Sequence, residues 1–223
     1  MTDNTVRKKI MVIDGGPRSN MNTAAMVAAF VAGVREGGGE AKVVRLYDID
    51  YKGCRSCMAC KLKGQRETVC CYPDGLTSTL NECAQADGLV IASPIYFGEM
   101  TGMTRAFWER LTFPWLDYVQ GILLAPRKMP VTFIYTMNGS PSNAEKIRRS
   151  TMRKVEMMTD MALSHELHQN VEVVIANNTT QVSDYNRYHF PDDLVESKRQ
   201  WRNTHWENDL RAARDAGERM VAM

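Results

Sequence analysis

The sequence carries almost no excess charge of either sign. Its 28 lysines and arginines nearly cancel 26 aspartates and glutamates, leaving a formal charge of +2. That balance gives no reason to invoke nucleic acid or an anionic membrane as a partner. Long apolar runs are missing too, since none approaches the ~20 residues that span a bilayer. The opening residues, MTDNTVRKK, hold no apolar signal-peptide core, so the expected location is the cytoplasm. There is no G-x-x-x-x-G-K-[ST] and no G-x-G-x-x-G, which excludes the Walker and dinucleotide phosphate loops in their usual form. Internal repeats, low-complexity tracts and linker-like composition are likewise absent. The 223 residues are therefore expected to form one domain, 1–223.

Cysteine is not scarce. Five of the six cysteines fall in one segment without clear periodicity, Tyr47 to Pro73, which reads as an insertion at about 47–73. In a reducing compartment they argue for free thiols, a metal site or redox chemistry rather than structural disulfides. Cys83 stands beside Leu80 on a helix face and reads as core.

Short, wholly apolar runs mark Ile10–Ile13 and Gly88–Ala92 as strands buried on both faces, and Val131–Tyr135 reads as a further strand. Ala41–Leu46 and Val171–Ala176 complete a set of five. Helices are expected over Thr23–Val34, closed by Gly37-Gly38-Gly39, and over Asp74–Ala86, Thr101–Arg110, Asn143–Leu163 and Asp192–Met220. Phe113–Lys128 reads as a connector and Asn177–Pro191 as a polar, irregular stretch, which opens a tail at about 177–223. Such alternation builds an α/β fold with a parallel sheet and helices on both faces. In strand order 2-1-3-4-5, the loops leaving strands one, three and four meet at the switch point, where ligands bind.

The first of these loops follows KKIMVID with GGPRSNMNT. A turn of small residues feeding a helix leaves N–H groups unpaired at the positive end of the helix dipole, a seat for phosphate. Arg18 adds charge there, and Asn22 and Thr23 add side-chain donors. A plain strand-to-helix turn would use the same glycines and proline. The second loop, Pro94 to Gly98, offers aromatic walls and backbone amides. The third, Thr136 to Gly139, is small and polar.

The runs GGPRSNMNT, YKGCRSCMACK, CYPDG, ADGLVIASPIYFGEMTGMTRAFWER and VSDYNRYHF resemble the NADPH-dependent FMN reductase family, and within it the iron-sulfur flavoproteins and their cluster-free relatives. The resemblance implies a three-layer flavodoxin-like fold. It implies FMN, with Gly16, Arg18, Asn22 and Thr23 on its phosphate, and Pro94, Ile95, Tyr96, Phe97 and Gly98 along the ring. Thr136, Asn138 and Gly139 would close the other side. It further implies NAD(P)H as co-substrate, hydride transfer to the flavin, a small-molecule or protein electron acceptor, and a homodimer or homotetramer. Gly16 and Met21 depart from the family's phosphate-loop pattern, and Gly75 stands where a second aspartate is usual.

Cys54, Cys57 and Cys60 are spaced C-x2-C-x2-C, which can wrap three corners of a [4Fe–4S] cluster, with Cys70 or Cys71 as the fourth ligand. The nine residues between Cys60 and Cys70 make a longer gap than that pattern has. A cluster, a zinc site and ordinary thiols all stand as readings, and a cluster would make the chain an electron carrier. His165 and His168 are too close for H-E-x-x-H and read as a solvated helix end. Lys146, Arg148, Arg149, Arg153 and Lys154 read as a charged solvent face. Asp14 raises a phosphorylation receiver of the same fold. That would need an aspartate ending the third strand and a lysine ending the fifth, where Ser93 and Asn177 stand.

Overall fold

A computed structural model describes residues 7–64, 68–163 and 171–223. His165 and His168 lie outside the described residues. The elements in chain order are β1 (Lys9–Asp14), α1 (Asn22–Glu36), β2 (Glu40–Arg45), α2 (Thr77–Gln85), β3 (Gly88–Tyr96), β4 (Glu99–Met100) and α3 (Gly102–Thr112). They continue with β5 (Leu116–Asp117), β6 (Ile122–Leu123), β7 (Val131–Thr136), α4 (Pro141–Ile147), α5 (Arg153–Leu163), β8 (Val171–Ala176) and α6 (Asp192–Ala222).

The main sheet runs β2-β1-β3-β7-β8, with all four of these pairings parallel. This is the expected order 2-1-3-4-5 of a flavodoxin-like α/β fold. Alternation along the strands sends neighbouring side chains to opposite faces. Met11, Ile13, Leu89, Ile91, Phe133 and Tyr135 enter the core with residues of α2, α3 and α5. Ile10, Val12, Val90, Ala92 and Ile134 enter the core beneath α1 and α6. The two cores explain why the centres of β1 and β3 read as unbroken apolar runs and why β7 is buried throughout.

Two glycines let α1 and α6 pack backbone to backbone. A Cβ on Gly33 would stand 1.9 Å from the Arg214 carbonyl oxygen, and one on Gly217 would stand 2.3 Å from that of Phe30. At 31 residues, α6 is about 46 Å long and runs well past this contact.

Three local features differ from the sequence expectation. β3 extends to Tyr96 and turns back through Phe97 and Gly98 to pair with β4, Tyr96 opposite Glu99. Both turn residues have positive φ, 52° and 88°, as a tight hairpin turn requires. The connector Phe113–Lys128 contains a small hairpin, β5–β6. The helix expected over Asn143–Leu163 is split by a π-turn at Arg148–Met152. There Thr151 Oγ1 donates to the Gly98 carbonyl at 2.5 Å, tying the β3–β4 turn to the π-turn. Among the described residues, no helix is long and apolar enough to cross a membrane.

Candidate functional site

The loop leaving β1 is held from beneath. The Gly15 N–H donates to the Ala92 carbonyl at 2.8 Å, and Thr101 Oγ1 donates to the Gly15 carbonyl at 3.1 Å. A Cβ on Gly15 would stand 1.8 Å from Thr104 Oγ1, so only glycine allows this approach. Asp14 is buried and accepts from the Gly16 N–H at 2.8 Å. Burial pushes its carboxyl above the ordinary range, and the Gly16 N–H and Arg45 offset part of that rise. α1 then opens from an extended Met21 with no side-chain cap and no acidic residue in its first turn. Its first-turn N–H groups and dipole therefore face outward without a carboxylate to occupy them.

A cavity of about 310 Å³ lies at the carboxyl ends of β1, β3 and β7. Gly16, Arg18, Asn22 and Thr23 form one end, Pro94, Ile95 and Tyr96 a wall, and Thr136 and Asn138 the opposite side. Thr23 Oγ1 and Thr136 Oγ1 are 2.8 Å apart and join the first and third loops. Three expected residues are not brought into the lining. Phe97 turns its ring fully into solvent, because the hairpin turn points it away, and Gly98 and Gly139 are not among the residues that line the cavity.

The remaining wall comes from residues that the sequence reading left unassigned. Thr179 to Val182, Tyr188 and Phe190 close the cavity. Arg18 donates to the Gln181 carbonyl at 2.6 Å, and Asn22 Nδ2 donates to that of Thr180 at 2.6 Å. From α6, Arg202 donates to Asn22 Oδ1 at 3.1 Å. This stretch has no periodicity. The usable signal was its place after β8, at the same sheet edge as the other three loops.

The comparison with protein families now bears on this geometry. The model of the NADPH-dependent FMN reductase family matches residues 8–140, which includes all three strand-end loops. The chain belongs to that family. As an FMN reductase family member it is similar to an iron-sulfur flavoprotein of Archaeoglobus fulgidus, 33% identical over 102 residues, covering 46% of this chain and 48% of that protein. A second such flavoprotein, from Methanocaldococcus jannaschii, is 29% identical over 102 residues, 46% of this chain and 51% of its own. The match thus spans about half the length of these curated relatives. Among solved structures, the fold resembles an NAD(P)H:quinone oxidoreductase from Methanothermobacter marburgensis, with TM-score 0.65, 16% identity and 96% coverage of both chains. It also resembles an FMN-dependent NADH-azoreductase from Bacillus anthracis solved with FMN, with TM-score 0.62, 12% identity and coverage of 96% of this chain and 99% of that one.

The cavity of this family member fits FMN by its donor set. An uncapped helix N-terminus and a guanidinium suit a phosphate dianion. Pro94, Ile95, Tyr96, Tyr188 and Phe190 add apolar and aromatic surface to the same cavity, as a flat ring requires.

The cysteine loop does not fit a [4Fe–4S] cluster. Cys54, Cys57, Cys60, Cys70 and Cys71 line one small cleft, of about 20 Å³, beside Arg110. Cys57 and Cys71 are exposed and Cys60 is buried. Among the described residues, no group of three or more cysteine, histidine or acidic side chains is placed to hold a metal ion. Arg110 Nε donates to Cys70 Sγ at 3.0 Å. Arg110, only 1% exposed, also donates to the Lys52 and Tyr72 carbonyls and to both Asp74 oxygens. Burial works against the Asp74 charge, but Arg110 and the Leu76 N–H outweigh it and hold that carboxyl below its ordinary range. Burial pushes the Cys60 thiol up.

Proposed function

We propose that this chain binds FMN in the cavity between β1, β3 and β7 and acts as an NAD(P)H-dependent flavin oxidoreductase. One observation carries the reading. The uncapped N-terminus of α1 with Arg18 beside it and the apolar surface of Pro94–Tyr96 line the same cavity. Arg18 and the first-turn N–H groups of α1 hold the phosphate. Asn22 and Thr23 orient it, each fixed from behind by Thr180, Arg202 and Thr136. FMN, when bound, supplies the hydride acceptor and passes electrons on. The protein's own part is to fix the ring, exclude water from one face, and leave room for NAD(P)H and then for a small-molecule or protein acceptor at the open side. No side-chain acid or base is required.

The working unit in this reading is one flavodoxin-like domain with the cysteine loop inserted, assembled as a homodimer or homotetramer in the cytoplasm. The solvent-facing Phe97 ring beside the cavity wall supports a subunit contact there. The reading takes no step through an iron-sulfur cluster.

The deciding experiment saturates the purified chain with FMN, removes the excess by gel filtration and quantifies the flavin released by denaturation. About one FMN per chain, bleached anaerobically by NADH or NADPH, is expected. A chain that emerges colourless overturns the reading.

A further inference from the structure

Lys198 lies on α6, outside the segment that the family model matches, and its side chain is completely buried. Its Nζ donates to the Asn138 carbonyl at 3.2 Å, to Asn178 Oδ1 at 3.0 Å and to the Thr179 carbonyl at 3.2 Å. Three acceptors require three N–H donors, which the ammonium has and the neutral amine lacks. All three acceptors are uncharged. Among the described residues, no carboxylate lies within salt-bridge distance of it.

These acceptors belong to the cavity wall. Asn138 and Thr179 both line it. The loops that carry them are paired directly, with the Asn178 N–H donating to the Gly139 carbonyl at 2.8 Å and the Thr179 N–H donating to that of Met137 at 3.0 Å. Lys198 bridges this joint from behind. One turn further along α6, Arg202 reaches Asn22 at the other end of the cavity. A single helix face thus braces both ends with cations.

Burying an ammonium with no counter-ion is costly, and an apolar side chain of similar length would fill the same space without that cost. The charge is therefore expected to serve something in the cavity. We infer that Lys198 is a positioning residue that locks the two loops together and biases the site toward a ligand that gains negative charge there, the reduced over the oxidised form of a flavin. This inference rests on the FMN reading. Burial draws the Lys198 ammonium below its ordinary range, consistent with a charge held against a desolvation cost.

The test titrates the apo chain with oxidised FMN and, anaerobically, with dithionite-reduced FMN, following flavin fluorescence and absorbance. The readout is the ratio of the two dissociation constants. Lys198→Met should lower the relative affinity for reduced FMN about tenfold, as loss of a nearby opposite charge does. Lys198→Arg should keep the ratio within about threefold. A Lys198→Met protein that loses both affinities equally, or neither, overturns the inference, because a purely structural role leaves the ratio unchanged. Should Lys198→Met fail to melt cooperatively, proton uptake by the wild-type holoprotein near pH 6 decides. One proton per two electrons is expected, and two overturn the inference. A wild-type chain that binds neither form of FMN overturns the FMN reading itself, a result that shows before any variant is made.

Discussion

Arg18 and Arg110 each stand beside a loop dense with reactive or donor groups, and their circumstances are opposite. Arg110 is buried, and its guanidinium is taken up by a carboxylate, two carbonyls and a sulfur of its own chain. Arg18 is exposed enough to face a cavity, and its recorded bond goes to one carbonyl, that of Gln181. The first arginine organises a loop, and the second is left available to an outside anion. The residues with chemical potential are thus divided between holding the fold and meeting a ligand. The division follows burial and partners, not residue type.

The largest effect that would sharpen this contrast is at the occupied arginine. Arg110→Met should destabilise the chain by about 3–5 kcal/mol, because Asp74 is left partly buried and unpaired. Denaturant unfolding measures it, and a loss under 1 kcal/mol would place Arg110 with the available group instead. At the other pole, Arg18→Ala should weaken FMN binding by about 1.5–3 kcal/mol, the range of hydrogen bonds to charged groups, while stability changes by less than about 0.5 kcal/mol. Fluorescence titration and a melt on the same protein separate the two. An unfolding loss as large as the binding loss would break the distinction.

The smallest effect concerns the helix that braces the cavity side. Burial pushes the Asp209 carboxyl up to about 6, with His205 offsetting part of the rise. Between its ordinary value of 3.8 and about 6, the native state holds a proton that the unfolded chain has released. Stability from this group is therefore present at low pH and is lost as pH rises through that window. Asp209→Asn should remove the loss, a gain of about 1 kcal/mol at pH 7 after allowance for partial exposure. Melting curves at pH 4.5 and 7 would show the variant's advantage only at the higher value.

The central strands were legible because both faces are buried, so the centres of β1 and β3 are written as continuous apolar runs and β7 as a run interrupted only by threonine. β8 was placed at its observed bounds, Val171–Ala176. α2 begins at Thr77 rather than Asp74, because Asp74 is engaged by Arg110 and accepts from the Leu76 N–H, as a turn residue does. The π-turn left no trace in the sequence, since its cause is tertiary, the Thr151 bond to Gly98. In the cavity, the Gly16–Thr23 end and the Pro94–Tyr96 wall were readable from local pattern. Phe97, expected along the ring, faces solvent because a hairpin turn, set by pairing with β4, reverses its direction. The Thr179–Phe190 wall and the two α6 cations were missed because each acts across more than a hundred residues of chain or from a helix that reads as solvated. The cysteine spacing suggested a shared purpose, but spacing alone does not fix where Arg110 directs its donors.

The stitching of the final quarter of the chain onto the opening loop has one more consequence. A chain cut within 179–190 would keep the Gly16–Thr23 corner and loosen the roof above it. Pigment retention during purification would then report on whether the tail has docked, and limited digestion within 179–190 should bleach the protein before it unfolds it.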